Sequence, residues 1–347
     1  MEDLEIRVVS RQDSRQVREI CDFLAQYGLR YEGEIEFTVG AYRDDRLVGT
    51  GSLAGKVLRN LAVDESLQGQ GVMAAIVTRL IEEQRKRGLF HYFIYTRPDK
   101  AALFEGLGFR EIARATPHAA VLEMGLGSVE DYCKRVRQAA AKLPAGPRAA
   151  LVVNCNPFTL GHQALIRRAA GESAAVIVFV VAEDKSLVPF PDRLELVREG
   201  TRELANVLVV SGEDYIISGA TFPAYFTREE ETATAQARLD ATLFAARLAP
   251  QLGIARRFVG EEPYCAVTSA YNQALQEILP AHHISLSVVP RFAVEGEIVS
   301  ASKVREMIRL DDWEGIQRMV PATTYAYLRS AKARDVIAKI KASHTRH

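Results

Sequence analysis

The chain is poor in the features that mark secretion, metal capture or a membrane. It has only four cysteines, Cys21, Cys133, Cys155 and Cys265, and none stands in a C-x-x-C pair. That scatter suits neither a zinc site nor a disulfide framework, and it fits a reducing compartment. No apolar run approaches the roughly 20 residues that a spanning helix needs. The opening M-E-D-L-E is acidic and lacks the apolar core of a signal peptide. Neither sign of charge is in excess, with Lys plus Arg and Asp plus Glu both at 44. Such a balance supplies no general field for nucleic acid or an anionic membrane. The expectation is a cytoplasmic protein with no nucleic-acid and no membrane partner.

What is present is enough chain, 347 residues, for two domains that each bury a core. Composition shifts at A-A-A-K-L-P-A-G-P, Ala139 to Pro147, whose prolines and glycine mark a linker. Before it, Val129 to Lys142 reads as a helix capped by Ser128, acidic in its first turn at Glu130 and Asp131 and stopped by Pro144. The division expected is residues 1–127, a linker at 128–147, and 148–347. The first part alternates short strands and helices, with a hairpin around Asp44-Asp45 and a Gln68-Gly69-Gln70-Gly71 turn between a strand ending at Val63 and a helix from Val72. The second part predicts strands at Ala149–Val153, Ala175–Val181, Val207–Val210, Arg257–Val259 and Ile284–Val288, and a long helix near Glu229 to Leu248 ending before Pro250. Strands separated by helices imply an α/β fold with a parallel sheet, whose ligands bind at the carboxyl ends of the strands.

At such an end stands Asn154 to His162, N-C-N-P-F-T-L-G-H, between the strand at Val153 and a helical pattern through Leu165, Ile166, Ala169 and Ala170. Gly161 allows close approach to the backbone, and a helix N-terminus offers free amides and partial positive charge to a phosphate. Thr159 can donate a hydroxyl, and His162 can hydrogen-bond to a phosphate or supply charge. Cys155 reads as a small buried residue. Ile298 to Arg305, I-V-S-A-S-K-V-R, is a second helix start. Ser300 is its N-cap, Ser302 adds a hydroxyl, and Lys303 and Arg305 bring charge. Together, T-x-G-H and S-x-S-x-V-R resemble the nucleotidyltransferase superfamily, in which both segments converge on the triphosphate of ATP or CTP. Asn156 and Phe158, within the first segment, join the candidate nucleotide contacts.

Two further segments lie over the same sheet edge. In E-D-K-S-L-V-P-F-P-D-R, Lys185 is placed to reach a triphosphate or an acyl carboxylate. Arg193 is open to two readings, a bidentate phosphate contact or the surface of the following helix. In G-E-E-P-Y-C-A-V-T-S-A-Y-N, Gly260 and Glu262 are candidate nucleotide contacts, and Glu261 or Glu262 could hold magnesium or ribose hydroxyls.

The Q-G-Q-G turn and A-L-F-E-G-L-G-F, Ala102 to Phe109, resemble the GNAT acetyltransferase fold over about Leu4 to Gly125. There the glycine turn, here Gln68, Gly69 and Gly71, holds the pyrophosphate of coenzyme A. This chain departs from the pattern at Met73, where Gly or Ala is common. It departs again at Phe104, where many members have a Tyr that protonates the leaving thiolate. The resemblance then implies docking of a CoA-like arm without independent acetylation.

Taken whole, a GNAT-like mixed α/β domain followed by a Rossmann-like parallel-sheet nucleotidyltransferase domain resembles the citrate lyase ligase family. The resemblance is carried by N-C-N-P-F-T-L-G-H, D-K-S-L-V-P-F-P-D-R-L-E-L-V, V-G-E-E-P-Y-C-A-V-T-S-A-Y-N and E-I-V-S-A-S-K-V-R. It implies attack of acetate on the α-phosphate of ATP with Mg2+, giving acetyl-adenylate and pyrophosphate. Acetyl transfer follows, to the thiol of the CoA-derived prosthetic group on the citrate lyase acyl carrier subunit. It also implies His162, Lys185 and Arg305 as the catalytic groups. The competing readings are a nucleotidyltransferase for a phosphorylated metabolite, a GNAT enzyme with a nucleotide-sensing domain, and a scaffold for the lyase.

Overall fold

A computed structural model describes residues 4–182, 185–218, 222–227, 229–261 and 266–343. It divides into two compact units: Met1–Val129 with Phe222–Leu239, and Glu130–Thr221 with Asp240–His347. The return of Phe222–Leu239 to the first unit is not visible in the sequence, because nothing in its composition sets it apart from its neighbours.

The first unit is built on a seven-stranded sheet. Its elements are β1 (Glu5–Val8), α1 (Ser14–Ala25), β2 (Phe37–Arg43), β3 (Arg46–Ala54), β4 (Val57–Val63), α2 (Val72–Lys86), β5 (His91–Thr96), α3 (Ala101–Glu105), β6 (Arg110–Ala115) and β7 (Ala119–Gly125). The strand order is β1-β2-β3-β4-β5-β7-β6. Every neighbouring pair is antiparallel except β4 with β5. That parallel pair meets at only two positions, Val57 with Phe93 and Leu58 with Ile94. A core of Val39, Leu53, Leu58, Ile76, Leu80, Ile94 and Phe104 lies between the sheet and α2. Gly69 and Gly71 take φ of +77° and +82°, which L side chains rarely adopt, and Gly71 caps α2.

The second unit follows from α4 (Val129–Ala139), the helix that begins after Ser128. It contains β8 (Arg148–Val153), α5 (Leu160–Glu172), β9 (Ala175–Val180), α6 (Phe190–Gly200), β10 (Val207–Ser211), α7 (Glu229–Leu243, shared with the first unit), α8 (Ala249–Leu252), β11 (Ile254–Gly260), α9 (Ala266–Ile278) and β12 (Ser285–Val289). A small hairpin, β13 (Ala293–Val294) and β14 (Glu297–Ile298), leads into α10 (Ala301–Arg309), α11 (Trp313–Met319), α12 (Ala322–Leu328) and α13 (Arg334–Ala342). The five long strands are all parallel, in the order β10-β9-β8-β11-β12. Near-continuous apolar runs such as A-V-I-V-F-V in β9 suit a sheet covered on both faces. Leu151, Val153, Val178, Val180 and Phe258 share one face with Ile166 and Ala169 of α5 and Val197 of α6.

The helix expected to stop before Pro250 does not stop there. It passes through a turn of π-helix, Phe244–Leu248, into α8, where Pro250 occupies the first turn. The π turn just ahead of Pro250 already interrupts the regular i→i−4 ladder, so the proline's missing N–H and its ring are accommodated without ending the helix. Among the described residues no helix is long and apolar enough to cross a membrane.

Candidate functional site

The chain leaves β8 for β9 and β10 on one side and returns to β11 on the other. A crevice therefore opens where β8 and β11 end, the place where ligands enter open parallel sheets. The loop leaving β8 at Val153 is fixed from below by Arg193. Its guanidinium is fully buried. Nε donates to the Val188 carbonyl at 3.0 Å, and Nη1 to the Asn154 carbonyl at 2.9 Å, the Asn154 Oδ1 at 2.7 Å and the Val181 carbonyl at 2.8 Å. Neither sequence reading of Arg193 holds. It is no phosphate ligand and no surface residue, because its donors are spent on the chain inside the core.

Two other expected nucleotide contacts support the loop. The Asn156 side chain is buried and its Oδ1 accepts from the Val188 amide at 3.0 Å. Phe158 is fully buried, and a Cβ placed on Gly200 would come within 2.3 Å of its ring. The face of Phe158 stacks on the imidazole of His162, with centroids 6.0 Å apart and planes 19° from parallel. Cys155 is buried as expected, and burial pushes its thiol well above the ordinary range.

Thr159 caps α5, its Oγ1 accepting from the His162 amide at 3.5 Å. His162 reciprocates through Nδ1, which accepts from the Thr159 amide at 3.1 Å and lies 2.9 Å from Thr159 Oγ1. A histidine thus fills the capping-box position usually held by Glu or Gln. With Nδ1 engaged as acceptor, the neutral ring carries its proton on Nε2. Burial, with the nearby positive charge of Arg291, pushes the imidazole down to about 4. Of the two readings open for His162, hydrogen bonding or charge, the neutral ring fits the first: it presents an N–H and no charge.

The second segment meets the first here. Ser300 caps α10 by accepting from the Lys303 amide at 3.3 Å, and its hydroxyl lies 3.1 Å from that of Ser302. Lys303 pairs with Glu297 at 2.9 Å. The buried Arg305 donates from Nη1 to the Asn156 carbonyl at 2.5 Å. Gly161 lies so close to the hairpin's end that an added Cβ would stand 3.2 Å from the Val299 carbonyl. Thr159, Gly161, His162, Ser300, Ser302 and Arg305 are thereby gathered at one sheet edge.

The remaining candidates are more dispersed. Lys185 is exposed on the loop after β9. Gly260 ends β11, with its carbonyl held by Asn272 Nδ2 at 3.1 Å and open space where a side chain would be. Glu261 is exposed and its amide donates to the Val289 carbonyl at 2.8 Å, while Glu262 lies outside the described residues. Gln68, Gly69 and Gly71 belong to the first unit, exposed in the turn before α2, and Phe104 is buried there. Sequence reasoning missed Arg291. It follows β12, and its Nε donates to the Glu261 carbonyl at 3.1 Å. The one signal was an arginine just past a strand's carboxyl end. Among the described residues no group of three His, Cys, Asp or Glu side chains is placed to hold a metal ion.

Comparison with known proteins agrees with this architecture. Residues 148–328 match the citrate lyase ligase C-terminal domain, and residues 34–111 match the acetyltransferase (GNAT) domain. The [citrate [pro-3S]-lyase] ligase of Klebsiella pneumoniae is 38% identical over 90% of this chain and 92% of its own. That of Escherichia coli K12 is 34% identical over 93% of each chain. That of Haemophilus influenzae is 36% identical over 89% of this chain and 94% of its own. A T-x-G-H helix start clamped to an S-x-S-x-V-R helix, with a GNAT domain ahead of both and near full-length similarity to these enzymes, places the chain in the citrate lyase ligase family.

Proposed function

We propose that the chain is an ATP-dependent acid–thiol ligase that acetylates, and so activates, citrate lyase. In the first step a carboxylate oxygen of acetate attacks the α-phosphorus of ATP. The new O–P bond replaces the bond to the departing pyrophosphate, and acetyl-adenylate results. In the second, the thiolate of the CoA-derived prosthetic group on the acyl carrier subunit attacks the acyl carbon. The C–O bond to AMP breaks, and the thiol's proton goes to solvent.

The observation that carries this reading is the contact between Arg305 and the Asn156 carbonyl, which joins the two segments into one donor-lined edge. The donor set suits a polyphosphate: the amides opening α5 and α10, the His162 Nε2–H, the hydroxyls of Ser300 and Ser302, and the cations Lys185 and Arg291. Transfer at phosphorus asks little covalent help of the protein; it needs alignment and relief of growing charge on the leaving group. A neutral His162 donates a hydrogen bond in the ground state and strengthens it as that charge develops. Arg305 positions the loop through the Asn156 carbonyl. Magnesium would supply charge neutralisation to the phosphates of ATP, and among the described residues no group of three His, Cys, Asp or Glu side chains is placed to hold it. In the first unit, the turn at Gln68, Gly69 and Gly71 offers amides to the pyrophosphate end of the prosthetic arm. The described cysteines Cys21, Cys133 and Cys155 are unbridged, in keeping with a cytoplasmic site of action.

The test is pyrophosphate exchange into ATP, with magnesium and a panel of short carboxylates and phosphomonoesters. Exchange that depends on acetate is expected. Exchange driven only by a phosphomonoester would replace this reading with a nucleotidyltransferase for a phosphorylated metabolite. His162→Ala should lower acetate-dependent exchange at least about a hundredfold, the usual cost of one such donor. Wild-type rates from a folded variant would remove His162 from the mechanism.

A further inference from the structure

The opening between β4 and β5 carries an inference that is independent of the ligase reading. Two parallel strands that pair at only two positions must diverge beyond them. The backbone groups facing the gap then need other partners, since a buried amide or carbonyl left without one is costly. In this chain the gap beyond Leu58 and Ile94 is met by Phe222–Thr227, a segment that belongs to the first unit although it lies far along the sequence.

The contacts are numerous and directional. Tyr225 is buried, and its hydroxyl donates to the Tyr95 carbonyl of β5 at 2.8 Å. The guanidinium of Arg59, on β4, lies over the Tyr225 ring at 4.9 Å. One aromatic side chain thus touches both strands past the point where they stop pairing. Phe222 packs edge-on against Tyr95 at 5.9 Å, and Phe226 packs against both Phe222 and Tyr225. Arg30 holds the segment's backbone. Its amide donates to the Tyr225 carbonyl at 3.0 Å, Nη1 to the Thr227 carbonyl at 2.7 Å and Nη2 to the Ala224 carbonyl at 2.9 Å. Asn60, also on β4, donates from Nδ2 to the Arg30 carbonyl at 2.7 Å, closing the ring of contacts.

We propose that Phe222–Thr227 is an intramolecular plug that occupies the opening between β4 and β5. A ligand entering between the strands must first displace the plug. Phe104 already leaves the unit without the tyrosine hydroxyl of many GNAT enzymes, and the plug closes the same unit sterically.

The experiment is hydrogen–deuterium exchange on the full chain, comparing wild type with the double variant Phe222→Ala, Tyr225→Ala. Exchange should accelerate about tenfold or more in peptides spanning Arg59 to Ala62 and Phe93 to Arg97, with those from β1, β2 and α2 unchanged. Tyr225→Phe, which removes only the hydroxyl, should show a smaller acceleration at the same two places and guards against unfolding of the double variant. Unchanged exchange beside Tyr95 in both variants would overturn the proposal. So would loosening spread uniformly over the unit, which would make the segment part of the core. Multiple-turnover acetylation of a small amine by wild type from acetyl-CoA would also overturn it.

Discussion

His162 is held neutral, with its proton on Nε2, because its Nδ1 is engaged with Thr159 and its surroundings resist charge. An imidazole at about 4, against an ordinary value near 6.5, has a defined consequence for pH. Between those values the unfolded chain binds a proton that the folded chain does not, so stability rises with pH across that window. The contribution is fully present above about 6.5 and is lost as pH falls toward 4. Thermal melts of wild type should therefore weaken below about pH 6.5 more steeply than those of His162→Gln, which does not titrate. Parallel pH profiles for the two proteins would contradict a depressed imidazole. The identity of this residue was legible because T-x-G-H announces itself locally. Its charge state was not, because it depends on a cap partner, on burial and on Arg291, whose proximity no local spacing reveals. Arg193 gives the same lesson. A helix-surface position and a buried clamp look alike in sequence, and only the carbonyls of Asn154, Val181 and Val188 tell them apart.

Elements, rather than single side chains, set the position of that imidazole. α6 ends at Gly200 directly against Phe158, and Phe158 stacks on His162. Gln163, one turn into α5, also donates from Nε2 to the Gly200 carbonyl at 2.7 Å. A methyl group at position 200 cannot fit without moving the ring. Gly200→Ala should cost about 1–3 kcal/mol of stability by overpacking. It should also lower the adenylation rate, because the displaced ring no longer backs His162. Differential scanning calorimetry and pyrophosphate exchange check the two effects, and a variant as stable and active as wild type would show that α6 does not hold the imidazole. The starts of α5 and α10 were legible: Ser300 was read as a cap and is one, whereas Thr159, read only as a hydroxyl donor at the helix start, turns out to be the cap of α5. The end of α7 was not. Proline signals a stop, and the π turn before Pro250 absorbs it.

At the scale of the whole chain, the parallel sheet could be read from the alternation of apolar strands and helices. The strand order could not. Position 161 and position 299 are neighbours only because β11 returns beside β8 and the hairpin of β13 and β14 turns α10 toward α5. Gly161→Ala tests this meeting. Alanine suits a helix start, so stability should change by less than about 1 kcal/mol, while the Val299 carbonyl must give way by a few tenths of an ångström. A drop of about tenfold in kcat/KM for ATP is expected, about 1.4 kcal/mol of lost transition-state binding. Unaltered kinetics would mean that the two segments tolerate slack. The same meeting bears on how the protein is made. The loop at residue 156 leaves the ribosome long before the guanidinium at 305 that secures it. A nascent chain that has not yet reached residue 305 therefore carries the loop at residue 156 without the contact that secures it, so the order of synthesis makes this edge of the sheet one of the later parts to be locked.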